Sequence, residues 1–289
     1  MSETPPLSRA SSPAQTLRGR LLIRLGRSLA AFAWLLRIRR AVVFENLARA
    51  FPTQSEHERR TLARAVYRAL GTSLGEMLLA RSVPDAQLEH WVEFDGFERF
   101  ERAAALGKGV VVAIGHFGNW ELLGRAFARR GVRLSLIGRK LQGFFNRKLV
   151  TARVQSGMAQ LPDRGSSAEA LQRLRSGEVL AIAVDQNMRP RRGIFVDFFG
   201  HPACTTPAAA VYALRAGAPI IAAFPVRGTD GRHRVLVQGP FEAPSDLHGH
   251  AAVESLTQQL TRAVEEIVRA HPDHWFWLHR RRKTKPGDR

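Results

Sequence analysis

The sequence predicts a single α/β domain with a mainly parallel central sheet flanked by helices, preceded by a helical N-terminal section. Three observations predict it. Short aliphatic, β-branched runs recur from residue 109 onward, helical segments lie between several of them, and the first hundred residues read as helical. Strands separated by helices imply a parallel sheet covered on both faces. At 289 residues and 45% apolar content, the chain can bury a sizeable core.

Residues 1–16, rich in Ser and Pro, are expected to form a flexible tail. Residues 17–100 form the helical section. From Leu21 to Leu36 the chain is apolar but broken by Arg24 and Arg27, with Arg37, Arg39 and Arg40 following. Its uninterrupted part, Ser28 to Leu36, is far short of the roughly 20 residues that span a bilayer. It reads as an interfacial anchor, with Phe32 and Trp34 at the acyl boundary and guanidinium groups at anionic headgroups. Within residues 55–80, Leu62, Ala63, Val66, Tyr67, Leu70 and Leu74 recur at spacings of three and four behind Ser55 and acidic Glu56 and Glu58, an amphipathic helix.

Residues 101–289 form the α/β core, one domain with the helices before it. Strands are expected at 109–114, 132–137, 179–184, 218–226 and 234–237. Helices are expected at 167–176, closed by Gly177; from Thr206, with Pro207 in the first turn, to just before Gly217; and over 250–270.

Charge and cysteine usage narrow the function. Against 44 Lys and Arg stand 25 Asp and Glu, a formal charge of +19, which calls for an anionic partner or surface. The single cysteine, Cys204, forms no intramolecular disulfide and builds no multi-cysteine zinc site.

The stretch most suggestive of chemistry runs from Val110 through Ile114 into Gly115-His116-Phe117-Gly118-Asn119-Trp120-Glu121. On one regular helix His116 and Glu121 would stand about 140° apart. With His116 in the turn that ends a strand and Glu121 opening the next helix, the carboxylate can instead accept a hydrogen bond from one ring nitrogen. The other nitrogen is then free to take a proton from a substrate hydroxyl. Ends of parallel strands are where α/β proteins place their sites.

These residues resemble the lipid A biosynthesis lauroyl/myristoyl acyltransferases, within the broader His-x4-Asp/Glu glycerolipid acyltransferases. Asn46-Leu-Ala-Arg-Ala-Phe51-Pro52 looks like that family's N-terminal signature, and Gly115 to Glu121 its catalytic block. Asp185-Gln186, Gly193 to Gly200 and Ala203 to Pro207 look like the next block; Trp277-Leu-His-Arg-Arg281 resembles the closing one. The resemblance implies that His116 is the catalytic base and Glu121 its charge partner. It implies acyl transfer without a covalent acyl-enzyme, from a thioester on acyl carrier protein to a hydroxyl of a phosphorylated glycolipid, a lipid A precursor. It places Arg139 and Arg153 at an acceptor phosphate or the oxyanion, and Asp185 and Asn119 among the substrate-binding residues. It implies no cofactor and no metal, and a peripheral or monotopic place on the cytoplasmic face of a bacterial inner membrane, with its anionic surface as partner. Asp197 stands where the family often has proline before Phe-Phe-Gly.

Other readings differ in acceptor or class: a lysophospholipid or phosphoinositide mannoside acceptor, or a non-catalytic basic protein binding nucleic acid or membranes. Gly71-Thr-Ser-Leu-Gly75 matches Gly-x-Ser-x-Gly, yet helical spacing precedes it where a nucleophile elbow needs a strand. His271-Pro-Asp-His274 and His248-Gly-His250 lack a further ligand set and read as loop histidines. The run from His274 to Lys283 mixes aromatic and basic groups, as a membrane-interface segment, a base-stacking segment, or core aromatics ahead of a basic tail. With no nucleic-acid-binding motif present, no nucleic-acid partner is expected.

Overall fold

The computed structural model describes residues 12–138, 151, 153–154 and 157–288. Helices α1 (Leu17–Leu35), α2 (Arg40–Ala50) and α3 (Glu56–Ala80) come first, followed by β1 (Val92–Asp95) and α4 (Phe97–Ala105). The core continues as β2 (Val110–Ile114), α5 (Trp120–Arg129), β3 (Leu134–Gly138), β4 (Met158–Pro162), α6 (Ser167–Arg175) and β5 (Val179–Ala183). A hairpin of β6 (Ile194–Asp197) and β7 (Pro202–Thr205) precedes α7 (Ala208–Ala216), β8 (Ile220–Arg227), β9 (His233–Phe241) and α8 (Gly249–Ala270).

Seven strands form one sheet in the order β1-β9-β8-β2-β5-β3-β4, parallel throughout except for the β8/β9 pair. Period-two alternation sorts its side chains into two cores. Val111, Ala113, Leu180, Ile182, Ala222 and Phe224 pack beneath α2, α3, α7 and α8. Val110, Val112, Ile114, Ala181, Ile221 and Ala223 face α4 and α5. Central strands buried on both faces explain why β2 and β5 read as unbroken apolar runs.

Two N-terminal expectations are corrected. Residues 1–11 of the expected flexible tail lie outside the described residues, but residues 12–16 are seated: Ser12 Oγ donates to the Gly231 carbonyl at 3.2 Å and Ala14 is buried. Trp34, expected at a membrane boundary, turns inward onto Tyr67 at 5.3 Å, with the Arg40 guanidinium 4.4 Å over its ring. Phe32 does point outward, 59% exposed, on a stripe with Leu17, Leu21, Leu25, Leu29 and Leu35. At 100° per residue these six fall within about a third of the helix circumference, opposite the buried Gly19, Ile23 and Gly26. Among the described residues no helix is long and apolar enough to cross a membrane.

The buried side of α1 is glycine-lined for a reason. A Cβ on Gly26 would stand 2.1 Å from the Gly71 carbonyl oxygen, and one on Gly75 would stand 2.5 Å from that of Leu22. Gly71 and Gly75, the ends of the apparent Gly-x-Ser-x-Gly pattern, are thus where the backbones of α1 and α3 touch.

Candidate active site

Strand register creates the site. In the parallel β2/β5 pair Ile114 lies opposite Ala183, so two residues further on His116 and Asp185 emerge side by side at the C-terminal edge of the sheet. Asp185, 3% exposed, accepts three N–H groups: the His116 amide at 2.6 Å, His116 Nδ1 at 2.8 Å and Trp275 Nε1 at 2.8 Å. Burial alone would raise its pKa, but the imidazole beside it and the donated hydrogen bonds outweigh that and hold it at about 2. Burial likewise works to lower the pKa of His116, and the Asp185 carboxylate overrides it, raising the imidazole above its ordinary value.

In the neutral ring Nδ1 therefore carries the proton, donated to Asp185, and Nε2 offers its lone pair. That nitrogen faces a cavity of about 610 Å³ and lies 3.2 Å from Gln186 Nε2, which donates to it. Trp120, Arg153, Tyr212 and Arg215 line the same cavity. Buried Arg281 donates to the Cys204 carbonyl at 3.0 Å and to Thr205, and sits close enough to Asp185 for their charges to interact.

The expected partnership of His116 with Glu121 is corrected. Glu121 does open α5, as read, but its carboxylate is gripped by Arg153, Nε on Oε2 at 2.9 Å and Nη2 on Oε1, while Arg153 Nη1 donates to Gln160 at 3.0 Å. A fork of guanidinium donors claims the carboxylate, and the strand partner, already at hand, takes the ring. Glu121 still lends its negative charge to the imidazole through space. Arg153 sits beside the site as expected, but already neutralised. Arg139 lies outside the described residues.

Asn119 is corrected too. It does not line the cavity: fully buried, its Oδ1 caps α5 at Leu122 N (3.1 Å) and its Nδ2 donates to Glu76 at 3.3 Å. That glutamate anchors a buried network from three elements. Arg227 at the end of β8 binds it at 2.7 and 2.9 Å, and His233 of β9 lies 3.2 Å away. Burial would raise the Glu76 pKa; the charges of His233 and Arg227 bring it to about 2. The network grips the His116 turn from behind, because Ser73 Oγ donates to the Gly118 carbonyl at 3.2 Å. Gly118 itself has φ +54°, and a Cβ there would meet the Pro225 carbonyl at 2.0 Å, so only glycine fits. From the other side the C-terminal segment pairs with the turn, His274 O accepting from Gly118 N and Phe276 N donating to His116 O.

Trp275 and Trp277 are thus core aromatics, and Trp275 also supports the site through its bond to Asp185. The sequence signalled Arg281 and Trp275 only through the closing block and the aromatic and basic run, without their partners, while Glu76 and Arg227 carried no local signal, since their partners lie far along the chain.

Comparison of the chain with known proteins finds a family. Residues 16–284 match the family of bacterial lipid A biosynthesis acyltransferases. The chain is 29% identical over 268 residues to the lipid A biosynthesis lauroyltransferase of Escherichia coli K12, covering 92% of this chain and 86% of that one. It is 26% identical over 291 residues to the myristoyltransferase of the same organism, covering 99% and 84%. It is also 26% identical over 191 residues to the phosphatidylinositol mannoside acyltransferase of Mycobacterium tuberculosis, covering 63% and 57%. The chain therefore belongs to the bacterial lipid A biosynthesis acyltransferases and is an acyltransferase.

Proposed function

We propose that this protein moves a fatty acyl chain from an acyl carrier protein thioester to a hydroxyl of a phosphorylated glycolipid, a lipid A precursor, on the cytoplasmic surface of an inner membrane. The observation that carries the chemistry is an imidazole whose Nδ1 is held by buried Asp185 and whose Nε2 opens onto a roomy cavity. The relatives' names support the acceptor, and the exposed apolar stripe of α1 supports the membrane surface.

The acceptor hydroxyl replaces the Gln186 amide at the lone pair of His116 Nε2, which takes the hydroxyl proton as its oxygen attacks the thioester carbonyl. The C–S bond then breaks and the leaving thiolate takes the proton back from the imidazolium. Asp185 holds the ring's orientation and offsets its transient charge, with Glu121 adding to that effect at longer range. Because a thiolate leaves far more readily than an alkoxide, direct transfer needs no enzyme nucleophile. Gln186 and Arg153 supply N–H donors at the cavity wall.

His116→Ala should lower acyl transfer by roughly 10²- to 10⁴-fold while thermal unfolding stays cooperative. Near-normal transfer of radiolabelled chains by that variant would refute the mechanism. Transfer to a lysophospholipid or phosphoinositide mannoside in preference to the lipid A precursor would reassign the acceptor.

A further inference from the structure

A second concavity, of about 860 Å³, lies beside the catalytic cavity and shares Asp163, Asn187, Met188 and Arg192 with it, so the two are continuous. Its wall carries Arg39, Arg164, Arg189, Arg280 and Lys283, all exposed and none within ion-pair distance of a carboxylate among the described residues. Asp163, the one acid among the described residues of the wall, is taken by Arg192 at 3.2 Å. Cations so concentrated around one recess focus a strong positive potential in it.

The groove is firmly built. Asn187 Nδ2 donates to Thr284 Oγ1 at 3.0 Å, Thr284 N returns a bond to Asn187 Oδ1 at 3.0 Å, and Asn187 N donates to His279 Nε2 at 2.8 Å. These bonds lock the C-terminal segment to the loop after β5, which also carries Gln186. Arg39 enters from the other side, at the α1/α2 corner, with a left-handed backbone (φ +59°). Leu35, Leu36 and Ile38 lie exposed beside that corner, at the end of the α1 stripe.

Arg153, the guanidinium expected to hold an acceptor phosphate, is nearly buried and neutralised by Glu121. The unpaired cations of the groove are where an anion gains most. We propose that this groove binds a phosphate group of the glycolipid acceptor, holding it while the lipid's hydroxyl reaches His116 Nε2 in the adjoining cavity. This rests on the acceptor assignment above. A phosphate on a lipid fits better than a free anion, because the groove opens beside an apolar helix face that lipid tails can line.

The test compares wild type with the triple variant Arg189→Ala/Arg280→Ala/Lys283→Ala on a purified lipid A precursor and on the same lipid after phosphatase treatment, at fixed carrier-protein thioester. The three side chains are exposed, so the thermal midpoint should stay near that of wild type. Wild type should prefer the phosphorylated lipid, and the variant should lose at least about tenfold of that preference in kcat/KM, as expected from losing charge-assisted hydrogen bonds. Replacing the same three positions by the other basic residue, Arg189→Lys/Arg280→Lys/Lys283→Arg, should restore much of it.

An equal fall for both lipids overturns the proposal in favour of general attraction to the anionic membrane. A rise in KM for the thioester alone overturns it in favour of a docking site for the donor. An unchanged preference leaves the cluster a solvated surface and also overturns it. If wild type acylates neither lipid, the acceptor assignment fails along with the groove; if wild type acylates both equally, only the groove fails.

Discussion

Asp185 and His116 are 69 residues apart in sequence and share two hydrogen bonds. The sequence placed His116 correctly in the turn after β2 and marked Asp185 at the end of an apolar run. Their pairing was illegible because it is decided by which strand lies next to β2, and local spacing pointed to Glu121 instead. Asp185→Asn should cost roughly 10³- to 10⁴-fold in kcat, since an amide neither fixes the Nδ1–H tautomer nor offsets the imidazolium. As the proposed base, His116 must be neutral to act, and Asp185 raises its pKa, so kcat/KM should climb with pH through an inflection above the ordinary histidine value. In Asp185→Asn that limb should move to lower pH; a pH–rate profile with an unmoved limb would detach it from His116. Glu121→Gln should act differently. It leaves the His116–Asp185 bonds in place but frees the Arg153 charge beside the ring, so it too should move the limb down, with a smaller loss of kcat than Asp185→Asn.

For secondary structure, capping and periodicity told most of the story. The Ser55/Glu58 capping box opens α3 as its sequence signature requires, and Gly217 closes α7 in the left-handed conformation. What escaped was short and dependent on neighbours: β1 and β4 are edge strands of four and five residues, and the β6/β7 hairpin pairs outside the main sheet. The contact of α1 with α3 was hidden for a different reason, because small residues signal close backbone approach only once the partner helix is known. Gly26→Ala should force the two helices apart and destabilise the fold by about 1–3 kcal/mol or more, measured by urea unfolding. Substitutions on the opposite face should separate stability from docking. Leu21→Asp/Leu25→Asp/Leu29→Asp should change unfolding free energy little, since those positions are exposed, yet weaken binding to phosphatidylglycerol-containing vesicles at least about tenfold. Unaltered vesicle binding would remove α1 from the membrane contact.

Across the molecule, charge is distributed unevenly in depth. The excess of cations is mostly at the surface, whereas the buried carboxylates Glu76 and Asp185 hold the His116 turn from two sides, each with its pKa brought down to about 2. A depressed carboxylate stabilises the fold fully above its ordinary pKa and loses that contribution as pH falls through its folded value. Unfolding free energy should therefore decline between about pH 5 and pH 2, each carboxylate adding a slope of up to about 1.4 kcal/mol for every tenfold rise in proton concentration. Urea unfolding across that range checks it. Glu76→Ala should be the most damaging single change in this network, roughly 3–5 kcal/mol, because it strands Arg227 in the interior. The β2/β5 register also sets a rule of parity. Because consecutive residues of a strand point to opposite faces, gaining or losing one residue between Val179 and Asp185 would swing the acid away from the ring, while a change of two would keep its direction. Length variants of this enzyme should consequently keep the stretch from β5 to the acid at an even offset and confine odd insertions to the loops beyond it.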